Sequence, residues 1–135
     1  MQDIPINWWA LLAAVVVSFV IGGVWYSPAL FVKPWIAGAG VDKAAFDKGL
    51  PRALIVDLVA SLIMAFVLVH AIRYAGAVSL GAGLFVTFWN WLGFVVAVLV
   101  GQVTHEHKPV SFFAINAGYR FVAMMAMGAI LTLWA

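Results

Sequence analysis

The chain has 135 residues, of which 67% are hydrophobic and 9% charged, with a mean hydropathy of +1.13. A soluble domain carries roughly 25% charged residues, so seven Lys and Arg with five Asp and Glu cannot clothe a water-facing surface at this length. A net charge of +2 gives no footing for nucleic acid, and the lack of cysteine excludes disulfides, a thiol nucleophile and a thiolate metal site.

About 20 mostly apolar residues cross an ~30 Å hydrocarbon core. Four stretches qualify, which predicts an all-α, four-helix transmembrane bundle in a single domain. The first runs from about Asn7 to Trp25. MQDIPINWW has no basic n-region and Trp25-Tyr26-Ser27-Pro28 does not resemble a small-residue cleavage site, so this segment is expected to be a retained span. Within it Ala10, Ala14, Ser18 and Gly22 recur at four-residue steps. Such a ridge lets helix backbones approach closely in lipid, either inside one bundle or as a seam between copies.

The stretch from about Ser27 to Leu50 is the one sizeable loop. Leu30 to Ile36 is too apolar to float in water and is expected at head-group level. Asp42 reads as a helix cap, and Gly49 with Pro51 as stop and restart signals. The second span then covers about Pro51 to Ile72, with Pro51 in its first turn. A third span, about Ala77 to Val103, is long enough to tilt or to bend at Gly93. The fourth runs from about Val110 to Trp134, with Ala114 and Gly118 as a shorter small-residue row and Gly128 further along.

Trp8, Trp9, Trp25, Tyr26, Tyr74 and Trp134 fall at the span ends, as interfacial aromatic belts require. Both termini and the Arg73–Ala77 turn share one side, where Arg73 is the sole basic side chain. The opposite side carries Lys33, Lys43, Lys48, Arg52 and Lys108. The positive-inside rule puts those loops in the cytoplasm and both termini outside.

Charged groups at membrane depth are costly and mark functional candidates. Asp57 lies about 9 Å from the start of the second span and Arg120 about 15 Å from the start of the fourth. The side chain of Arg120 leans back toward its helix start, so the two groups meet if their helices are neighbours. Asn116, Ser61, Ser18 and Asn90 fall near the same level, which predicts one internal polar cluster of all six residues. It serves either as a hydrogen-bonded knot, as a hydrated pocket or ion pathway, or not at all if Arg120 snorkels outward. Trp89 and Trp91 sit near the middle of the third span, where they either fill volume or line a cavity. His70 reads as interfacial. His105-Glu106-His107 lacks an evident third ligand, so no metal is expected. No nucleophile elbow, phosphate-cradling loop or helical zinc signature is present, and neither enzyme chemistry nor a cofactor is expected.

Several pieces of the chain resemble the bacterial membrane family known as domain of unknown function seventeen sixty-one. They are Asn7-Trp8, Gly22-x-x-Trp25-Tyr26-Ser27-Pro28, Phe88-Trp89-x-Trp91-Leu92-Gly93-Phe94, Glu106-x-Lys108-Pro109, Ile115-Asn116-Ala117-Gly118-Tyr119 and Met127-Gly128-Ala129-Ile130-Leu131. The resemblance implies a small four-span membrane protein with no assigned activity. It also implies that Trp25, Tyr26, Trp89, Trp91, Asn116 and Tyr119 belong to the common pattern, with Asn90 and Arg120 particular to this chain. The shared task would then rest on those residues and on the Glu106–Lys108 loop, where both side chains face the basic first loop. The expected function is that of a non-enzymatic protein of the bacterial inner membrane, acting through self-association and through binding lipid or a partner. The alternative is a small transporter or channel built on Asp57 and Arg120.

Overall fold

The computed structural model describes residues 3–134, and every regular element among them is helical. Asn7 starts α1 (Trp8–Trp25): its side-chain oxygen accepts from the amides of Trp9 and Ala10, two donors that a helix start otherwise leaves orphaned. The Asn7 amide nitrogen also donates to the Trp134 carbonyl at 3.2 Å, joining the beginning of the first helix to the end of the last. After a short irregular link, α2 (Val32–Ala39) closes on Gly40, whose φ of 73° is the left-handed conformation a helix end favours. Asp42 caps α3 (Lys43–Tyr74) by accepting the Ala45 N–H at 2.7 Å. Ser79 caps α4 (Leu80–Thr104) in the same way, and Pro109 precedes α5 (Val110–Leu133).

The expected loop at 27–50 is therefore largely helix. The stop at Gly49 and restart at Pro51 do not occur, and Pro51 lies inside a 32-residue helix. A proline removes one amide donor and kinks a helix, but the turns on both sides keep their own bonds, so the helix carries through. Around Gly93, where the sequence allows a bend, α4 contains a π-helical turn over Leu92–Val96. Such turns carry one extra residue per turn and are a recognised cause of helix kinks.

α1, α3, α4 and α5 are each long and apolar enough to cross a membrane, which makes this a multi-pass membrane protein. α5 is the central helix and packs against each of the other four. The ridge on α1 is spent on that packing. Ala10, Ala14 and Ser18 are wholly buried, and a Cβ on Gly22 would come within 3.0 Å of the Tyr119 hydroxyl oxygen. The alternative of a seam between copies thus loses its surface. Toward the termini, Leu11, Ala14, Val15, Ala65, Leu68, Val69, Ile72, Met127 and Leu131 form a buried apolar core.

A reciprocal glycine–threonine lock joins α4 to α5 there. A Cβ on Gly83 would overlap Thr132 Oγ1, and a Cβ on Gly128 would overlap Thr87 Oγ1. Each threonine hydroxyl donates to its own helix four residues back: Thr87 to the Gly83 carbonyl at 2.8 Å and Thr132 to the Gly128 carbonyl at 2.6 Å. The lock thus buries both hydroxyls while leaving neither unpaired.

Candidate functional site

At the end of the bundle that carries the basic loops, α1, α3 and α5 diverge and leave a half-open cavity of about 500 Å³. α3 contributes Leu50, Ala53, Leu54, Asp57 and Ser61, whose spacing puts them on one helix face. From α1 come Phe19, Gly22 and Gly23, with Tyr26 just beyond the helix end. Asn116, Tyr119 and Arg120 of α5 form the opposite wall, and Trp35 of α2 with Phe46 lies at the outer end. From Phe46 to Ser61 the cleft follows about 22 Å of α3 at the helical rise per residue. Its walls are mostly apolar, with the polar groups gathered on α3 and α5.

Asp57 and Arg120 do line this one space, but they do not form the expected pair. Among the described residues the sole ion pair is Lys43 with Asp47, and neither Asp57 nor Arg120 has a hydrogen-bond partner. The reason is geometric. Residues 51–60 of α3 stand off from the bundle and are exposed on every side, while the Arg120 guanidinium lies 4.9 Å from the centre of the Tyr119 ring.

Asn116 is the node that shapes the outer wall. Its Oδ1 accepts the Tyr26 hydroxyl and the Trp35 indole N–H, both at 2.9 Å. An indole nitrogen can only donate, which fixes the amide orientation. One side chain of α5 thereby holds the end of α1 and the middle of α2. Burial pushes the Tyr26 phenol above its ordinary value, so it remains a donor. Lys108 secures the far end of α2: its ammonium donates to the Ala39 carbonyl at 2.8 Å, where a helix end favours a cation. Glu106 is exposed and reaches no basic partner, so only half of the expected loop contact exists.

The six-residue polar cluster divides. Asp57, Arg120, Asn116 and Ser61 face the cavity. Ser18 is buried behind it, where the Tyr119 hydroxyl donates to the Ser18 carbonyl at 3.2 Å and lies 3.4 Å from Ser18 Oγ. Asn90 does not take part. Its amide donates to the Val86 carbonyl of its own helix at 2.9 Å, which satisfies it locally.

The central tryptophans also divide. Trp91 donates its indole N–H to the Ala117 carbonyl at 2.9 Å, and Trp25 does the same to Ile115 at 3.0 Å, so both brace α5. Trp89 is 53% exposed and points away from the bundle, neither filling core volume nor lining the cleft. Trp35 and Phe46 are the site residues that sequence reasoning missed. The available signal was an indole within the short apolar run Val32-Lys33-Pro34-Trp35-Ile36 near Gly38, whose N–H needs an acceptor once buried. Gly38 itself lies so close to α5 that a Cβ would come within 2.9 Å of Phe112 Cβ. Among the described residues no three His, Asp or Glu side chains converge as metal ligands.

A family model described as "Protein of unknown function (DUF1761)" matches residues 9–132 of the chain. No curated protein and no solved structure is similar enough to match.

Proposed function

The chain belongs to the DUF1761 family, whose function is unknown, and we propose from its geometry that it binds an amphipathic molecule within the membrane, without enzymatic turnover. One observation carries this reading. A cleft of about 500 Å³ lies among membrane-crossing helices, with mostly apolar walls and two charged side chains that have no ion-pair or hydrogen-bond partner among the described residues. That volume falls in the range of ligand sites, which combine apolar walls with a few placed polar groups. Residues 51–60 of α3 leave a lateral opening toward the hydrocarbon region, the direction from which an amphiphile arrives. In this reading the basic loops lie on the cytoplasmic side of a bacterial inner membrane, following their excess of Lys and Arg.

Gly23 provides the test. It lines the cleft, yet a Cβ there meets nothing within 4 Å. Gly23→Phe therefore adds bulk at the cleft wall with a Cβ that is clear of the scaffold. The chain purified in mild detergent should carry amphiphiles detectable by native mass spectrometry, and Gly23→Phe should lose them at an unchanged melting temperature. Equal loads on both proteins, or none on either, would sink the proposal.

The rival reading is a small transporter or channel that uses Asp57 and Arg120. Its support is that both charges face one membrane-embedded space. A continuous path would have to cross the buried apolar core toward the termini, which favours binding over passage. Flux into liposomes that Asp57→Asn abolishes would reverse that preference. Self-association stays part of the proposal, with the outer face of α3 in place of the α1 ridge, because Ile55, Val56 and Val59 are exposed there and none of them lines the cleft.

A further inference from the structure

Resting on that reading, we infer that the cleft selects a zwitterionic amphiphile whose head group carries a phosphate and an ammonium a few bonds apart. Asp57 and Arg120 belong to different helices, face one cavity and pair neither with each other nor with another described residue. A charge held in a low-dielectric site gains most from a counter-charge. A ligand bearing one charge of each sign satisfies both walls at once. A purely anionic ligand leaves Asp57 unpaired, and a neutral one leaves both charges unmatched.

The aromatic side chains give the site a direction. Phe46, Trp35, Tyr26 and Tyr119 follow one another with ring centres 5.6, 6.1 and 5.3 Å apart. The Arg120 guanidinium closes the Tyr119 end of this run at 4.9 Å. Its planar fork of donors matches the oxygens of a phosphate. The remaining ring faces, together with the Asp57 carboxylate, suit an ammonium through cation–π and ionic attraction. Lys48 and Arg52 on exposed α3 attract any anionic head group to the surface, so an anionic lipid is the proper competitor.

The experiment uses the full chain in detergent, with three lipids of identical acyl chains: phosphatidylethanolamine, phosphatidylglycerol and diacylglycerol. Native mass spectrometry gives the affinities, and a melting temperature checks each variant. Phosphatidylethanolamine should bind tightest. Asp57→Asn should weaken it roughly tenfold, as loss of a charge-assisted contact implies, without weakening phosphatidylglycerol. Arg120→Gln should weaken both phospholipids, and Arg120→Lys should recover part of the loss. Soluble glycerophosphoethanolamine that competes identifies a free zwitterion as the ligand, and failure to compete identifies a bilayer lipid; both agree with the inferred head group. Phosphatidylglycerol binding as tightly as phosphatidylethanolamine, or Asp57→Asn without effect on the latter, overturns the inference while leaving amphiphile binding intact. If no lipid binds at all, the proposed function falls with it.

Discussion

The two ends of this bundle are built on opposite principles. Toward the termini, α1, α3, α4 and α5 close on small residues and a buried apolar core, locked by Gly83 against Thr132 and Gly128 against Thr87. Toward the basic loops the same helices separate, and their contacts pass through long aromatic and polar side chains around a cavity. In lipid no hydrophobic force drives helices together, so close packing needs small residues that let backbones approach. Where those residues give way to Tyr26, Trp35, Asn116 and Tyr119, the helices stand apart and space remains.

The largest predicted effect breaks the closed end. Gly128→Ala should cost about 1–3 kcal/mol, the usual penalty for overpacking, because its Cβ overlaps the Thr87 hydroxyl. Adding Thr87→Ala should recover much of that loss in unfolding assays. Simple addition of the two losses would show that the side chains do not oppose each other.

Asn116→Leu tests the open end. It removes the acceptor of the half-buried Tyr26 hydroxyl and Trp35 N–H, at about 0.5–1.5 kcal/mol for each lost hydrogen bond. α2 should then become sensitive to protease while the melting of the closed end changes little. Uniform protection of α2 would mean that Lys108 and Phe112 alone hold it.

A smaller contrast concerns the two tryptophans of α4. Trp91→Phe loses a hydrogen bond to α5 and should cost about 0.5–1.5 kcal/mol, whereas Trp89→Phe on the outer face should stay within about 0.5 kcal/mol. Equal losses would contradict the outward placement of Trp89. The smallest effect is the coupling between Asp57 and Arg120. A double-mutant cycle of Asp57→Asn with Arg120→Gln should give an interaction well short of the roughly 3–5 kcal/mol that breaking a buried ion pair costs, because the two side chains share a space without pairing. A larger coupling would restore the ion pair that the structure lacks.

How far the sequence could be read differs between these regions for physical reasons. Span existence, the Asp42 cap and the ridge at Ala10, Ala14 and Ser18 follow from composition and from spacing along one helix, which are local properties. Pro51 misled because a proline is both a helix starter and a tolerated kink, and only the turns around it decide which. Asn90 misled because membrane depth says nothing about rotation, and its amide is satisfied four residues back on its own helix. Trp35 escaped notice because its partner, Asn116, is far along the chain. The Gly-x-x-x-Thr spacing at Gly83–Thr87 and Gly128–Thr132 was visible as two separate motifs, but their mutual contact was not.

The sequence by itself determined that this is a multi-pass helical membrane protein, where its four apolar spans fall along the chain and which end is basic. Those properties depend on hydrophobicity and charge counted along the chain, and on turn chemistry within a few residues. Only the tertiary structure decided that α5 is the central helix, that Asp57 and Arg120 share a space without pairing, and that Trp91 faces in while Trp89 faces out. Those outcomes depend on how each helix is rotated and how far it stands from its neighbours, and both are set by side chains on other helices.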